Sequence, residues 1–117
     1  MNSKGKVWEI EAANYLRKKK YKLLAANYTT RFGEIDLICQ YKKYLCFIEV
    51  KQRDCNSIAQ AKEFVDANKQ KRIIKSAQLY MAKYNPKLQP RFDIIEIYTQ
   101  DNKIKSIKHL ENAFELY

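Results

Sequence analysis

Apolar residues recur at helical spacing in two segments of this chain, and these segments are predicted to form two helices. Residues 5–20 set Ala12, Ala13 and Leu16 at helical spacing. A second helix is expected to begin after Asp66, whose side chain suits an N-cap, and to end near Tyr84 before Asn85-Pro86. Its core side is predicted to carry Ile73, Ile74, Ala77, Met81 and Tyr84.

Shorter apolar runs predict the strands. Residues 21–29 are expected to form an edge strand, and residues 33–38 and 47–51 to form the two arms of a hairpin closed at 40–44. A later strand is expected at 91–98 and a short last strand at 104–110. Residues 54–65 have no clear period and are expected to form a mobile loop.

The hairpin carries the strongest chemical signal. Side chains alternate along a strand, so Phe47, Glu49 and Lys51 are expected on one face. On the first arm, Asp36 is expected to share a face with Glu34 and Ile38, opposite Ile35, Leu37 and Cys39. If the register agrees, pairing brings Asp36 near Glu49 and indicates a metal site. Glu34 is expected to pair with a basic side chain at the surface instead.

Glu9 lies in the middle of the apolar stripe of the first helix, with Ala12, Ala13 and Leu16 following it at helical spacing. A buried carboxylate needs a partner. Two interpretations stay open, namely a salt bridge or frayed first turn, and a metal ligand aimed at the sheet. Gln70, on the stripe of the second helix, is expected either to bond a backbone partner in the core or to face the site, and the first is favoured.

Glu9, Asp36, Glu49 and Lys51 together suit the hydrolysis of a phosphodiester. That reaction needs charge neutralisation, an activated water and a stabilised leaving oxygen. Mg²⁺ (or Mn²⁺) held by one or two carboxylates can provide all three. Lys51 could orient or deprotonate the attacking water, or offset charge on the phosphate, and the sequence does not separate these roles.

Length and charge restrict the partner. A chain of 117 residues is expected to form one domain over 1–117, and 23 Lys and Arg against 13 Asp and Glu leave 23 − 13 = +10. This balance favours a nucleic acid, with DNA expected, over a membrane. Solvated surface charge is the alternative explanation for the basic residues expected to contact the nucleic acid, which are Arg31, Arg53, Lys69, Lys71 and Arg72.

Other features carry less chemistry. No run approaches the length of a membrane span, and the N-terminus lacks a signal-peptide stretch. Cys39 and Cys46 are expected to be reduced strand residues in a cytoplasmic protein. His109 is expected at the surface, and the acidic residues of strand 91–98 are expected to carry little signal.

The segments Gly33-Glu34-Ile35-Asp36-Leu37-Ile38 and Phe47-Ile48-Glu49-Val50-Lys51-Gln52-Arg53 resemble the YraN-like (UPF0102) family of bacterial proteins. That family is similar to the PD-(D/E)XK nuclease superfamily, and to archaeal Holliday-junction resolvases in particular. Further matches lie at Gly5 and Glu9 in the opening helix, at Asn27 and Arg31 before the hairpin, at 69–72, and at Arg91-Phe92-Asp93.

The resemblance implies a restriction-endonuclease-like α-β-β-β-α-β core of class α/β, a mixed sheet with helices on both sides. It also implies that Glu9, Asp36 and Glu49 are metal ligands and that Lys51 is the catalytic lysine. The implied activity is a metal-dependent endonuclease on branched or structured DNA. A nucleic-acid-binding protein of the same fold with little or no cleavage is the alternative. A resolvase needs two sites and hence a homodimer, for which the chain carries no clear signal.

Overall fold

The computed structural model of the chain describes residues 3–55 and 65–115. The predicted loop at 54–65 therefore lies mostly outside the described residues. The elements follow one another in the order α1 (Ser3–Lys18), β1 (Lys22–Thr30), β2 (Gly33–Tyr41), β3 (Tyr44–Asp54), α2 (Ala67–Tyr84), β4 (Gln89–Gln100) and β5 (Lys103–Phe114).

The strands form one mixed sheet in the order β1-β2-β3-β4-β5. β3 and β4 are parallel, because α2 carries the chain back between them, and every other neighbouring pair is antiparallel. The predicted edge position of β1 is confirmed. The last strand is longer than predicted, since it runs to Phe114 rather than to residue 110.

One helix covers each face of the sheet. α1 packs Ala12 and Leu16 onto an apolar cluster that includes Ile48 of β3. On the other face, α2 packs Ala77 and Tyr80 onto a second cluster. The mixed sheet between helices confirms the predicted α-β-β-β-α-β core, with β5 added at its edge. One core prediction for α2 is wrong, because Tyr80 is buried whereas Tyr84 is 54% exposed.

Both ends of α2 have the predicted chemistry. The Asp66 side chain accepts the Lys69 N–H at 2.8 Å as the N-cap. The Gln70 amide donates to the Val65 carbonyl at 2.9 Å, which confirms the backbone partner favoured for it. The helix ends at Asn85, which adopts a left-handed conformation with φ 46° and donates its N–H to the Met81 carbonyl.

The alternation of side chains is regular along β3 but breaks in β2. Leu37 belongs to the cluster under α1. Ile35 is expected beside it, but lies instead in the cluster under α2. The pairs Ala26–Leu37 and Tyr28–Ile35 bracket the break, and Asn27 between them is left-handed with φ 52°. The prediction that Ile35 and Leu37 share a face is wrong, because this kink turns the chain at Asp36.

A buried ionic network surrounds Asp93 of β4, which pairs with Ile48 of β3. Asp93 is fully buried and accepts hydrogen bonds from Arg91 at 2.7 and 2.9 Å and from the Asn112 N–H at 3.0 Å, and it pairs with His109 Nε2 at 2.7 Å. Arg91 also donates to the Tyr21 hydroxyl at 2.6 Å. The expectations of a surface His109 and of uninformative acids in this strand are wrong.

The cysteines agree with the prediction. Cys39 and Cys46 face each other across β2 and β3 with buried, free thiols. Burial raises the pKa of each thiol to about 12, so both stay protonated. No helix in the described part of the chain is long and apolar enough to cross a membrane.

Candidate functional site

Asp36 and Glu49 meet where β2 and β3 separate. The β2–β3 ladder runs from Tyr41–Tyr44 to Leu37–Ile48. One step further along the two strands, Asp36 lies opposite Glu49. The Asp36 carboxylate accepts the Val50 N–H at 2.8 Å, so a side-chain oxygen is the acceptor for this strand N–H. The register that the hairpin pattern required is therefore present.

Asp36 is held in a setting that opposes its charge. Burial raises the pKa of Asp36 to about 8, with further contributions from the negative charges of Glu49 and Glu9. The Val50 hydrogen bond and the Lys69 charge act in the opposite direction without cancelling the rise. The negative charges of Glu49 on β3 and Glu9 on α1 therefore both act on Asp36 of β2.

Glu49 is 5% exposed and pairs with a cation from α2. The Lys69 ammonium lies 2.6 Å from Glu49 Oε1. Burial acts against the charge of Lys69, but Glu49, Asp36 and a hydrogen bond with Lys51 raise its pKa above the ordinary value. The Asp66 cap fixes the turn of α2 from which Lys69 reaches this pair.

Glu9 of α1 lies beside the irregular part of β1 that contains Asn27. The Asn27 side-chain amide donates a hydrogen bond to Glu9 Oε1. This contact replaces the expected salt bridge, and Glu9 lies well inside α1 rather than in a frayed turn. Asn27 is also the left-handed residue at the kink. A groove of about 300 Å³ opens beside these residues, and its lining includes Glu9, Asn27 and the cations Lys6 and Arg17.

Lys51 follows Glu49 on the same face of β3, the arrangement that strict alternation predicted. Its side chain is half-buried, and an interaction with it contributes to the raised pKa of Lys69. The Lys69 ammonium lies at Glu49 while its side chain is 36% exposed, and its contact with nucleic acid stays a prediction. Helical periodicity places a lysine on a face but does not reveal this inward reach.

The donor set suits Mg²⁺ or Mn²⁺, which prefer carboxylate oxygens and retain several waters. Asp36 and Glu49 provide two carboxylates whose mutual repulsion a single ammonium offsets only in part. Within residues 3–55 and 65–115, however, no three His, Cys, Asp or Glu side chains gather into a ready-made metal cluster. Asp36 and Glu49 are therefore the pair that could hold a cation. Glu9, the third predicted ligand, is hydrogen-bonded to Asn27.

The predicted nucleic-acid contacts divide into two groups. Arg31, Lys71 and Arg72 are exposed on the β1–β2 turn and on α2. Arg53 is 5% exposed and pairs with Glu96 through Nε at 3.0 Å and a terminal nitrogen at 2.9 Å. This buried ion pair gives Arg53 a structural position, from which we expect little contact with a phosphate.

Comparisons with known proteins identify the family of this chain. The model of the uncharacterised protein family UPF0102 matches residues 8–97. A UPF0102 protein of Caldanaerobacter subterraneus subsp. tengcongensis is 47% identical over 113 residues, covering 94% of this chain and 93% of its own. A UPF0102 protein of Syntrophomonas wolfei is 41% identical over 117 residues, covering 97% and 100%. One of Clostridioides difficile is 40% identical over 112 residues, covering 95% and 96%. The chain therefore belongs to the UPF0102 family.

Proposed function

We propose that this protein is a metal-dependent endonuclease that hydrolyses phosphodiester bonds in DNA, with branched or otherwise structured DNA as its substrate. The observation that carries the proposal is the meeting of Asp36 and Glu49 at the separation of β2 and β3, with Lys51 beside them. A half-buried and a buried carboxylate whose charges repel are costly to place side by side unless a cation is shared between them. The resemblance to PD-(D/E)XK nucleases agrees with this interpretation.

Hydrolysis adds water across a P–O bond. A water oxygen bonds to phosphorus and loses a proton, and the departing sugar oxygen gains one. Asp36 and Glu49 would hold a Mg²⁺ or Mn²⁺ ion, which supplies charge neutralisation and activates water when it is bound. Lys51 would orient the attacking water or accept its proton, and Lys69, displaced from Glu49 by the ion, would offset charge on the phosphate.

The surface around the pair suits a polyanion. Lys6 and Arg17 flank the groove that contains Glu9, and exposed Lys71 and Arg72 lie on α2 shortly after Lys69. With a net charge of +10, the chain would attract a nucleic-acid backbone from a distance. Paired cuts at a junction would need two such sites, and hence two copies of the chain.

A second candidate is a nucleic-acid-binding protein that does not cleave. The Lys69–Glu49 ion pair and the Asn27–Glu9 hydrogen bond favour it, because they satisfy two of the three acids without a metal ion. Binding and cleavage therefore need separate measurements.

The deciding experiment incubates the purified protein with duplex, single-stranded, flap and four-way-junction DNA in Mg²⁺, Mn²⁺ or EDTA. We expect cleavage with either cation and none in EDTA. Glu49→Gln and Lys51→Met should each reduce the rate about 100-fold or more. Glu34→Gln, an exposed acid on the same strand as Asp36, and Lys43→Met are the matched controls. Cleavage that survives Glu49→Gln would contradict the assignment, and salt-sensitive binding without cleavage would favour the second candidate.

A further inference from the structure

The β1–β2 turn is fixed onto α2 by a hydroxyl network. Phe32 donates its N–H to Thr30 Oγ1 at 3.0 Å. Thr30 Oγ1 lies 2.7 Å from Ser76 Oγ, and Ser76 of α2 is fully buried. Thr30 also donates to the Gly33 carbonyl at 3.2 Å, and Gly33 has a φ of +147° that favours glycine. The turn therefore has a defined position relative to the helix.

This turn presents an aromatic ring that the core does not use. Phe32 is half-buried, whereas Phe47, Phe92 and Phe114 are all buried in the cluster under α2. The Arg31 guanidinium lies 4.9 Å and the Lys75 ammonium 5.2 Å from the centre of the Phe32 ring. A base that stacks on this half-buried ring would displace the cations that lie over it, and these cations could then contact the flanking phosphates.

The ring lies close to the candidate site. Gly33, next to Phe32, is three positions before Asp36 along β2, a separation of about 10 Å. Lys75 follows Lys69 by six positions along α2, or about 9 Å. Both paths place the ring about three nucleotide steps from the Asp36–Glu49 pair, at ~3.4 Å per step.

We propose that Phe32, with Arg31 and Lys75, is a base-stacking platform that recognises an unpaired base near the phosphate to be cleaved. The inference rests on the proposed nucleic-acid substrate and names its class, which is DNA with an unpaired stretch or a branch point. Bases in a continuous duplex are already stacked on their neighbours, so they cannot use the platform. An unpaired base has a free face, and stacking on an aromatic side chain stabilises it.

The test measures binding in EDTA, which separates it from cleavage. Fluorescence anisotropy compares a continuous duplex with a duplex of equal length that contains three unpaired nucleotides, one of them 2-aminopurine. We expect Phe32→Ala to weaken binding to the interrupted duplex about 10-fold or more, to change binding to the continuous duplex less than about twofold, and to abolish the stacking-dependent quenching of 2-aminopurine.

Tyr84→Ala is the matched control. Tyr84 is an exposed aromatic residue of α2, the helix that carries Lys75, and the Lys83 ammonium lies 5.3 Å from its ring centre. It lies far along α2 from Lys69. Tyr84→Ala should change binding to neither probe. Thermal unfolding of each variant establishes that it is folded, and Phe32→Leu keeps the apolar volume without the aromatic face.

Four results would overturn the inference. Equal losses on both probes after Phe32→Ala would assign the ring a role in general affinity or in the shape of the turn. Wild-type binding and quenching in Phe32→Leu would show that stacking is not required. Binding of the wild type to both probes without any effect of Phe32→Ala would remove the platform but leave the proposed function intact. A wild-type protein that binds neither probe would remove both.

Discussion

Asp36→Asn is expected to stabilise the metal-free protein, and the gain should grow with pH. Burial, and then the charge of Glu49, raise the pKa of Asp36 to about 8 in the folded state, whereas an unfolded aspartate has a pKa of ~3.9. The folded protein therefore keeps a proton that the unfolded chain releases between about pH 4 and pH 8, and its stability falls as the pH rises through this window. Asparagine removes the charge but keeps an oxygen that can accept the Val50 N–H.

The size of the effect follows from the displaced pKa. At about 1.4 kcal/mol per unit, the full displacement sets an upper limit of about 6 kcal/mol. Asp36 keeps partial contact with water, and Lys69 offsets part of the repulsion, so the penalty is smaller than this limit. We expect Asp36→Asn to increase the free energy of unfolding by about 2 kcal/mol at pH 8 and by about 0 at pH 4.

The assay is urea unfolding in EDTA at several pH values between 4 and 8.5, for the wild type and Asp36→Asn. Glu34→Gln, an exposed acid of the same strand, is the control and should show no such trend. In 10 mM Mg²⁺, a site with a dissociation constant of about 1 mM would stabilise the wild type by about 1.4 kcal/mol. The Asp36→Asn variant should lose this stabilisation.

Two results would refute this reasoning. If Asp36→Asn lowers the free energy of unfolding at pH 8 by more than about 1 kcal/mol, the carboxylate is a stabilising group rather than a constrained ligand. If Mg²⁺ stabilises both proteins equally, the ion binds somewhere other than Asp36.

Three further predictions concern the ionic network around Asp93, the buried Arg53 and the exposed Lys71. Asp93→Asn should cost about 3 kcal/mol, because Arg91 and His109 lose the buried carboxylate that both contact and Arg91 keeps the more exposed Glu111 at 3.2 Å. Although burial opposes the charge of Asp93, its hydrogen bonds hold its pKa below the ordinary value, so the stability that Asp93 contributes should be present above about pH 4 and lost as acid brings the pH down through its folded pKa. Arg53→Met should destabilise the fold by about 3 kcal/mol, because it leaves Glu96 without the cation it pairs with, and it should not change the salt dependence of DNA binding. Lys71→Glu should lower the slope of log affinity against log salt concentration by about 1.

The controls and contrary outcomes differ for these three. Asp101→Asn, at an exposed hairpin turn, should leave stability unchanged, and a similarly small effect of Asp93→Asn would contradict the network. A reduced salt slope in a stably folded Arg53→Met protein would restore its predicted contact with phosphate. Lys103→Glu, on the distant β4–β5 hairpin, is matched to Lys71→Glu, and equal losses in both would mean that net charge alone governs binding.

Sequence patterns predicted the features that depend on residues close together in the chain. Both helices, the Asp66 cap and the hairpin follow from periodicity and end signals, and β3 keeps strict alternation, so Glu49 and Lys51 fall on the face that the pattern assigned. The register that brings Asp36 opposite Glu49 also follows, because the hairpin turn fixes it.

The features that the sequence did not reveal depend on contacts between distant segments. Asn27 turns left-handed beside Glu9 of α1, and this kink moves Ile35 to the other face of the sheet. Lys69 reaches inward because α2 begins above Glu49. Asp93 is buried because its cationic partner Arg91 also bonds a residue 70 positions away. No rule of spacing along the chain encodes these encounters.

We propose that Asp36 and Glu49 bind one divalent cation between them. The most direct measurement is anomalous diffraction from crystals of the protein soaked in Mn²⁺. We expect a manganese peak about 2.0–2.4 Å from a carboxylate oxygen of each residue, with Lys69 displaced from Glu49, and no peak there in Glu49→Gln crystals. A map in which Lys69 keeps its ion pair with Glu49 and manganese is absent from both carboxylates would contradict it.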